Sequence, residues 1–581
     1  MASTYIPQGT TTRLTPADVE AASKSAINNM EQKAFCEWPN EAGFDGLTEH
    51  RGPIALKVQG TIPAWAAGSL YRTGPGQCKV EDTKSGTFFL SHWFDGLAHT
   101  HRFDIVAEMA ANEPVVRVNY SSRRQTDQLV ADIKATGALR AITFAQKLDP
   151  CIGMFGKFMS IFRKSQPPLN ANVMVQRNIP SSSLETSTKA AADTQGHRAS
   201  TLVLGTDANV ICRIDPETME PTGFLNQTTL HPDLKGGLSG AHGQFDSESG
   251  DYFNYNLDLG KDAVYRIFRV TAATGKTDIL AVFKAKGAWI HSFFMTQNYI
   301  VLCIPVAHYA LSGIKILLEG NLKGGFKPFD PSETCHWYVI DRRHGKGLVA
   351  EFASPARFFM HTVNAFEDPD TGDILCEFVD YPNRYIIESS YYDVLLNRNN
   401  AAAHFWTANQ LHHQSFPRLA RYRLPKTEFS SSLPAPTLTL EIPSPHAGEM
   451  PVINPLYQCR PHRYVYFCIS RARSTLFDAL AKVDTQTGEV LQWEGPHGHT
   501  PGEAIFVPRP RVGDGVEVEG GGKGEGEGED DGVLLSVVLD GANRVSYLLC
   551  LDARTMTELG RAECEFAVAI GLHGVHLPVA A

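Results

Sequence analysis

The sequence predicts an all-β fold of repeated antiparallel hairpins, closed into a β-propeller. Two observations carry that reading. One turn type recurs six times, at residues 215–219, 246–250, 271–275, 368–372, 484–488 and 552–556. Short β-like runs such as VICRI and YLLCL flank these turns. In most of them an Asp opens the turn and caps it with its own side chain, and a Gly at the fifth place supplies φ > 0. A β-sandwich or several β domains would use the same tips. A closed ring is preferred because it leaves only short strand edges.

The chain divides around that pattern. Residues 1–45 are polar with helical character and read as an N-terminal arm. From there to 581 the chain reads as one β domain with three interruptions. Residues 126–165 look helical and apolar, and residues 385–425 read as a long irregular insertion rich in aromatics and Asn; both are expected to form cap insertions. Residues 513–531 are low-complexity Gly/Glu, cannot bury a core, and are expected to form a flexible surface loop.

Bulk composition excludes several classes. A chain of 581 residues, 43% of them apolar, has ample material for a large core. A net charge of −10 argues against a nucleic-acid partner, which would need a basic face. No run approaches the roughly 18 apolar residues of a membrane span, and the N-terminus lacks a basic region followed by an apolar one. Eleven cysteines without CxxC spacing read as reduced thiols in the cytosol, not as a disulfide framework or a zinc site.

Four histidines sit in settings unlike a surface: His242 in GAHGQFD, His291 in WIHSFFM, His361 in FFMHTVNAFED and His573 in IGLHGVHLP. Burying an imidazole without a partner is costly, and a shared metal would satisfy each ring. Successive members stand 49, 70 and 212 positions apart, too far for a local motif but suited to a site on the axis of a ring. Imidazole suits iron, zinc and copper. A lone His among apolar residues is more often a core residue, and His99, His101, His412, His413, His462 and His576 are alternatives on composition alone.

The local sequences resemble the carotenoid cleavage oxygenase family over residues 50–576 or so. GSLYRTGPG (68–76), HWFDGLAHTHRFD (92–104), the four histidine motifs and EDDGVLLSVVLD (529–540) are similar to the family's motifs and follow in its order. The resemblance implies a seven-bladed β-propeller under a helical dome, with Fe(II) on the axis held by His242, His291, His361 and His573. His576 is the competitor for the last place. The implied acidic partners are Asp207 for His291, Glu449 for His361 and Glu503 for His573, with none for His242. Asp207 stands where the family usually has Glu, and Gly follows His242 where it often has Pro. The resemblance also puts Ala171, between Asn170 and Asn172, beside an open position on the iron, with Thr206 next to the first acid.

The implied reaction is cleavage of a conjugated C=C bond by O₂ into two carbonyls, in an apolar small molecule. Thr206 stands where stilbene-cleaving members commonly have Lys, which favours a carotenoid or apocarotenoid. Cleavage of a smaller aryl alkene, such as an isoeugenol-type phenylpropene, is the alternative. Isomerohydrolase chemistry on a retinoid ester and a non-enzymatic propeller that binds apolar ligands are further readings. The apolar, lysine-bearing segment 139–164 is expected either to pack as the cap or to touch a bilayer peripherally.

Overall fold

The computed structural model describes residues 5–110, 113–147, 170–181, 201–408, 416–510 and 528–579. Antiparallel sheet dominates it. Five sheets of four or five strands are built mainly from successive stretches of chain, spanning residues 174–226, 238–285, 294–355, 358–443 and 449–494. A sixth sheet has ten strands and joins the two ends of the domain: residues 54–124 meet residues 499–578 within it.

Its seam is the strand Ile54–Gly60. Ile54–Leu56 pair with the strand Glu113–Arg124, whereas Lys57–Gly60 pair with Glu558–Glu563. A second closure pairs Gly68–Arg72 with Gly574–Pro578. Between neighbouring sheets the core is aromatic and dry. Phe294 and Trp337 of one sheet pack with Phe359 and Phe378 of the next, all at most 2% exposed.

The six tips share one hydrogen-bond pattern. In each, the amide of the fifth residue donates to the carbonyl of the first: Met219 to Asp215, Gly250 to Asp246, Gly275 to Thr271, Gly372 to Asp368, Gly488 to Asp484 and Met556 to Asp552, at 2.8–2.9 Å. The fifth residue has positive φ throughout, including the two methionines at 57° and 58°. Left-handed backbone is costly for methionine, but both side chains are buried, at 1% and 0% exposure, and the apolar contact offsets the strain.

The insertions differ from their expected forms. The N-terminal segment is not only helical: Thr10–Leu14 adds an antiparallel strand to Val490–Glu494 before the helix Val19–Glu31. Of the stretch 126–165, expected to be helical, the described residues hold the helix Asp127–Thr136. Gly137 ends it at φ 69° with its amide on the Ile133 carbonyl at 2.7 Å, residues 137–147 are not helical, and 148–165 lie outside the described residues. In the 385–425 stretch, short helices at Tyr385–Ser389 and Tyr392–Leu395 give way to the sheet strand Arg418–Leu424, and 409–415 lie outside the described residues. Of the Gly/Glu stretch 513–531, only 528–531 are described. Among the described residues, no helix is long and apolar enough to cross a membrane, and the cysteines are free thiols, mostly buried.

Candidate metal centre

His242, His291, His361 and His573 come together. One ring nitrogen from each lies within 4.8 Å of the other three. Each histidine sits in or beside an edge strand of its sheet. His361 lies within Phe358–Glu367, at a break in the pairing register between Phe359 and Thr362. The other three are outside strands: His242 follows Leu238–Ser239, His291 precedes Phe294–Met295, and His573 immediately precedes Gly574–Pro578. An edge position leaves the ring free to turn inward, and a break in pairing lets His361 leave the pleat.

The three expected carboxylates back these rings. His291 Nδ1 meets Asp207 Oδ1 at 2.8 Å, His361 Nδ1 meets Glu449 Oε2 at 2.5 Å, and His573 Nδ1 meets Glu503 Oε1 at 2.7 Å. The shorter Asp207 reaches its histidine directly. The carboxylates are themselves held. Tyr381 donates its hydroxyl to Glu449 Oε1 at 2.6 Å, and the Gly574 amide donates to Glu503 Oε2 at 2.9 Å. Burial alone would raise both glutamates, yet the facing imidazoles and these hydrogen bonds hold them below the ordinary carboxylate range. Burial, reinforced by the other three imidazoles, holds His242 well below the ordinary imidazole range.

This arrangement suits a cation. An imidazole that donates from Nδ1 carries a lone pair on Nε2. His361 Nε2 faces His573 Nε2 at 3.0 Å, and His242 Nε2 faces His291 Nε2 at 3.1 Å. Facing lone pairs repel unless a positive centre lies between them. With metal–nitrogen bonds of about 2.1 Å, nitrogens at a right angle on the ion sit about 3.0 Å apart, and tetrahedral ones about 3.4 Å. These two spacings match the right-angle value, so the four imidazoles could hold an ion and leave further positions on it for O₂.

Glycine follows His242 because a side chain at 243 would strike the Tyr252 hydroxyl, 2.1 Å from where its Cβ would stand. His576, the alternative to His573, points elsewhere: its Nε2 contacts the Ala66 carbonyl at 3.1 Å.

A cavity of about 820 Å³ opens beside the rings, toward the upper end of the ~300–1,000 Å³ usual for small-molecule sites. His291, His361, His573 and Thr206 line it, together with mostly apolar side chains such as Phe94, Phe144, Trp406 and Phe416. Asn170 and Asn172 also contribute to the wall and pin the Phe94–Ala98 turn: Asn172 Nδ2 donates to the Phe94 and Gly96 carbonyls, and Asn170 Oδ1 accepts from the Ala98 amide. That turn is the HWFDG motif. Among the described residues the wall does not include Ala171. It packs in a cluster with Tyr71, Val175 and Leu204.

Two contributors were not singled out from sequence. Tyr381 ends the apolar strand Ile374–Tyr381 and looks like core. Arg72 is 1% exposed and donates to the carbonyls of Glu503, Gly571 and Leu572, gripping the two loops that carry Glu503 and His573. Its position in the RTGPG motif was the available signal.

Comparison with known proteins agrees with this geometry. The family model described as retinal pigment epithelial membrane protein matches residues 43–578. The torulene dioxygenase of Gibberella fujikuroi is 47% identical over 95% of this chain and 96% of its own length. The carotenoid dioxygenase of Neurospora crassa is 46% identical over 99% and 96%. Among solved structures, a mutant of the Synechocystis apocarotenoid oxygenase superposes with a TM-score of 0.69 at 20% identity, covering 93% of this chain and 98% of that one. The chain belongs to the retinal pigment epithelial membrane protein (RPE65) and carotenoid oxygenase family.

Proposed function

We propose that this protein is a non-haem Fe(II) dioxygenase that cleaves a conjugated C=C bond of a carotenoid or apocarotenoid with O₂, giving two carbonyl products. One observation carries the reading: four imidazoles, three of them backed by carboxylates, converge at the wall of a large apolar cavity. The torulene and carotenoid dioxygenases this chain resembles support the same class of chemistry.

We further propose a seven-bladed propeller with a helical cap. Five separate sheets, plus a ten-stranded sheet divisible at Ile54–Gly60, make seven units. The seven inward residues fit one per unit: Asp207, His242, His291, His361, Glu449, Glu503 and His573 in chain order.

His242, His291, His361 and His573 would hold the iron. When bound, iron supplies the activation of O₂ that a closed-shell alkene requires. The protein's own part is positional. Asp207, Glu449 and Glu503 fix three imidazoles in the tautomer that presents Nε2 inward, and their charge offsets a divalent ion among neutral ligands. Phe94, Phe144 and Thr206 shape the wall where the polyene lies, and the apolar lining keeps water from the reacting bond.

Mass spectra of products formed under ¹⁸O₂ test the assignment, with torulene, β-carotene, apocarotenals, resveratrol and isoeugenol as substrates. Aldehydes carrying one labelled oxygen each are expected from the polyenes. Cleavage of resveratrol or isoeugenol alone would transfer the assignment to aryl alkenes. Peripheral membrane contact belongs to the proposal, with the protein otherwise cytosolic. Ile142, Leu311, Ile314 and Leu317 are 54%, 65%, 55% and 42% exposed; three of them line the cavity, and Leu311 adjoins Ser312 on its wall. Leu311 also has a φ of 50°, a strained backbone presenting an apolar side chain to solvent.

A further inference from the structure

The family model matches from residue 43, and the segment ahead of it also reaches the cavity. Thr10–Leu14 is fixed to Val490–Glu494 by strand pairing. The following helix Val19–Glu31 is latched twice: Ser23 Oγ donates to the Ser444 carbonyl at 3.2 Å, and Asn29 Nδ2 donates to the Arg471 carbonyl at 2.9 Å. The helix buries only Ala26 and Met30. Met30 and Phe35 enter an apolar cluster with Trp406, Ala402, Ala403 and Ala472. Met30, Phe35, Trp406 and Ala472 also belong to the wall of the cavity that holds the imidazoles.

The cavity wall is asymmetric. Ile142, Ile314 and Leu317 are 42–55% exposed, whereas Met30, Phe35 and Trp406 are 4%, 3% and 7% exposed. One side of the cavity therefore borders solvent, and the side built on the N-terminal segment is buried. Two hydroxyls near that side take part in hydrogen bonds: Thr475 donates to the Leu395 carbonyl at 2.5 Å, and Ser474 accepts from Asn40 at 2.9 Å.

We infer that Met30 and Phe35 are specificity-determining residues that close the blind end of the substrate cavity and limit the length of polyene arm lying beyond the metal centre. This rests on the carotenoid reading above. The terminus that reaches them is an apolar one, a hydrocarbon ring or methyl end, to match the apolar side chains of Met30, Phe35 and Trp406. Methionine suits such a stop because its flexible thioether fills irregular space.

The test uses the full-length protein with a β-apocarotenal series of graded length and a C40 carotenoid. Met30→Ala and Phe35→Ala should raise the ratio of kcat/KM for long over short substrates by about tenfold, and Met30→Trp should lower it by about as much, the usual effect of one or two methylenes in an apolar pocket. Binding of the same series to metal-free protein, followed by quenching of tryptophan fluorescence, should shift in the same directions. If the wild type cleaves polyenes and binds them but neither ratio moves twofold in any of the three variants, the end-stop is wrong. If the wild type cleaves none of the polyenes, the dioxygenase assignment fails instead, and the metal-free binding series still decides the end-stop by the same criterion. Met30→Leu, which keeps the volume, should leave both ratios unchanged; a shift there as large as in Met30→Ala would also overturn the inference.

Discussion

Replacing Glu503 with glutamine tests how the centre is held. The carboxylate accepts two donors, His573 Nδ1–H at 2.7 Å and the Gly574 amide at 2.9 Å. A glutamine amide has one oxygen and one NH₂, so in Glu503→Gln one of the two donors faces another donor. Leaving a buried donor without its acceptor costs about 1–3 kcal/mol. The ring can escape by moving its proton to Nε2, but that form has no lone pair for a metal. Either way the cost falls on metal binding, and about 1–3 kcal/mol corresponds to roughly 5- to 150-fold, close to the ~10–100-fold typical of losing a partner behind a metal-bound histidine. Competition with a ferrous chelator would measure the affinity, and a thermal melt of the metal-free protein would show whether the fold survives. Weakened Fe(II) binding in a folded variant is expected. A variant that binds Fe(II) and turns over like the wild type would refute the argument.

Three other outcomes follow from the geometry. Tyr381→Phe removes the hydroxyl on Glu449, a bond to a buried charge worth about 1.5–3 kcal/mol, and should lower iron retention about tenfold or more on dialysis. Asp95 is buried under the amides of Phe144 and Ala145, at 2.6 and 2.8 Å, and burial pushes its carboxyl up to about 6 against those hydrogen bonds. The folded state then keeps a proton that the unfolded chain releases near the ordinary pKa of 3.8, so stability relative to Asp95→Asn should fall as pH rises from about 4 to about 6, by an amount on the order of 3 kcal/mol; denaturant melts that show no such difference would remove the effect. Leu311→Glu should reduce co-sedimentation with liposomes several-fold while leaving cleavage of detergent-solubilised substrate intact, and unchanged sedimentation would reject the bilayer contact.

Much of the centre was legible because three of the four histidines carry apolar flanks and the motifs follow the order of the family they resemble. The six tips were legible because Asp capping and positive φ are local events. What sequence hid was non-local. Thr10–Leu14 pairs with residues some 480 positions away, and nothing in TTRL announces that partner, so only the helical character of the arm was readable. Tyr381 is indistinguishable from core until its hydroxyl is seen on Glu449. Within 126–165 the helix Asp127–Thr136 ends at the left-handed Gly137, a local stop that the apolar character of the stretch did not announce. Ala171 was carried over by motif, but among the described residues its neighbours Asn170 and Asn172 line the cavity instead.

The pairing of Gly68–Arg72 with Gly574–Pro578 has a consequence for biogenesis. During synthesis three of the four imidazoles emerge well before His573, and Glu503 emerges 70 residues ahead of that partner. A nascent chain therefore has donors able to capture the wrong ion long before the site is complete. Contacts so distant along the chain also form late and slowly. Fidelity of metal choice in the cell should then depend on how long the unfinished chain lingers, so slowing translation between residues 361 and 573 would change the ion recovered with the protein while leaving every residue of the site intact.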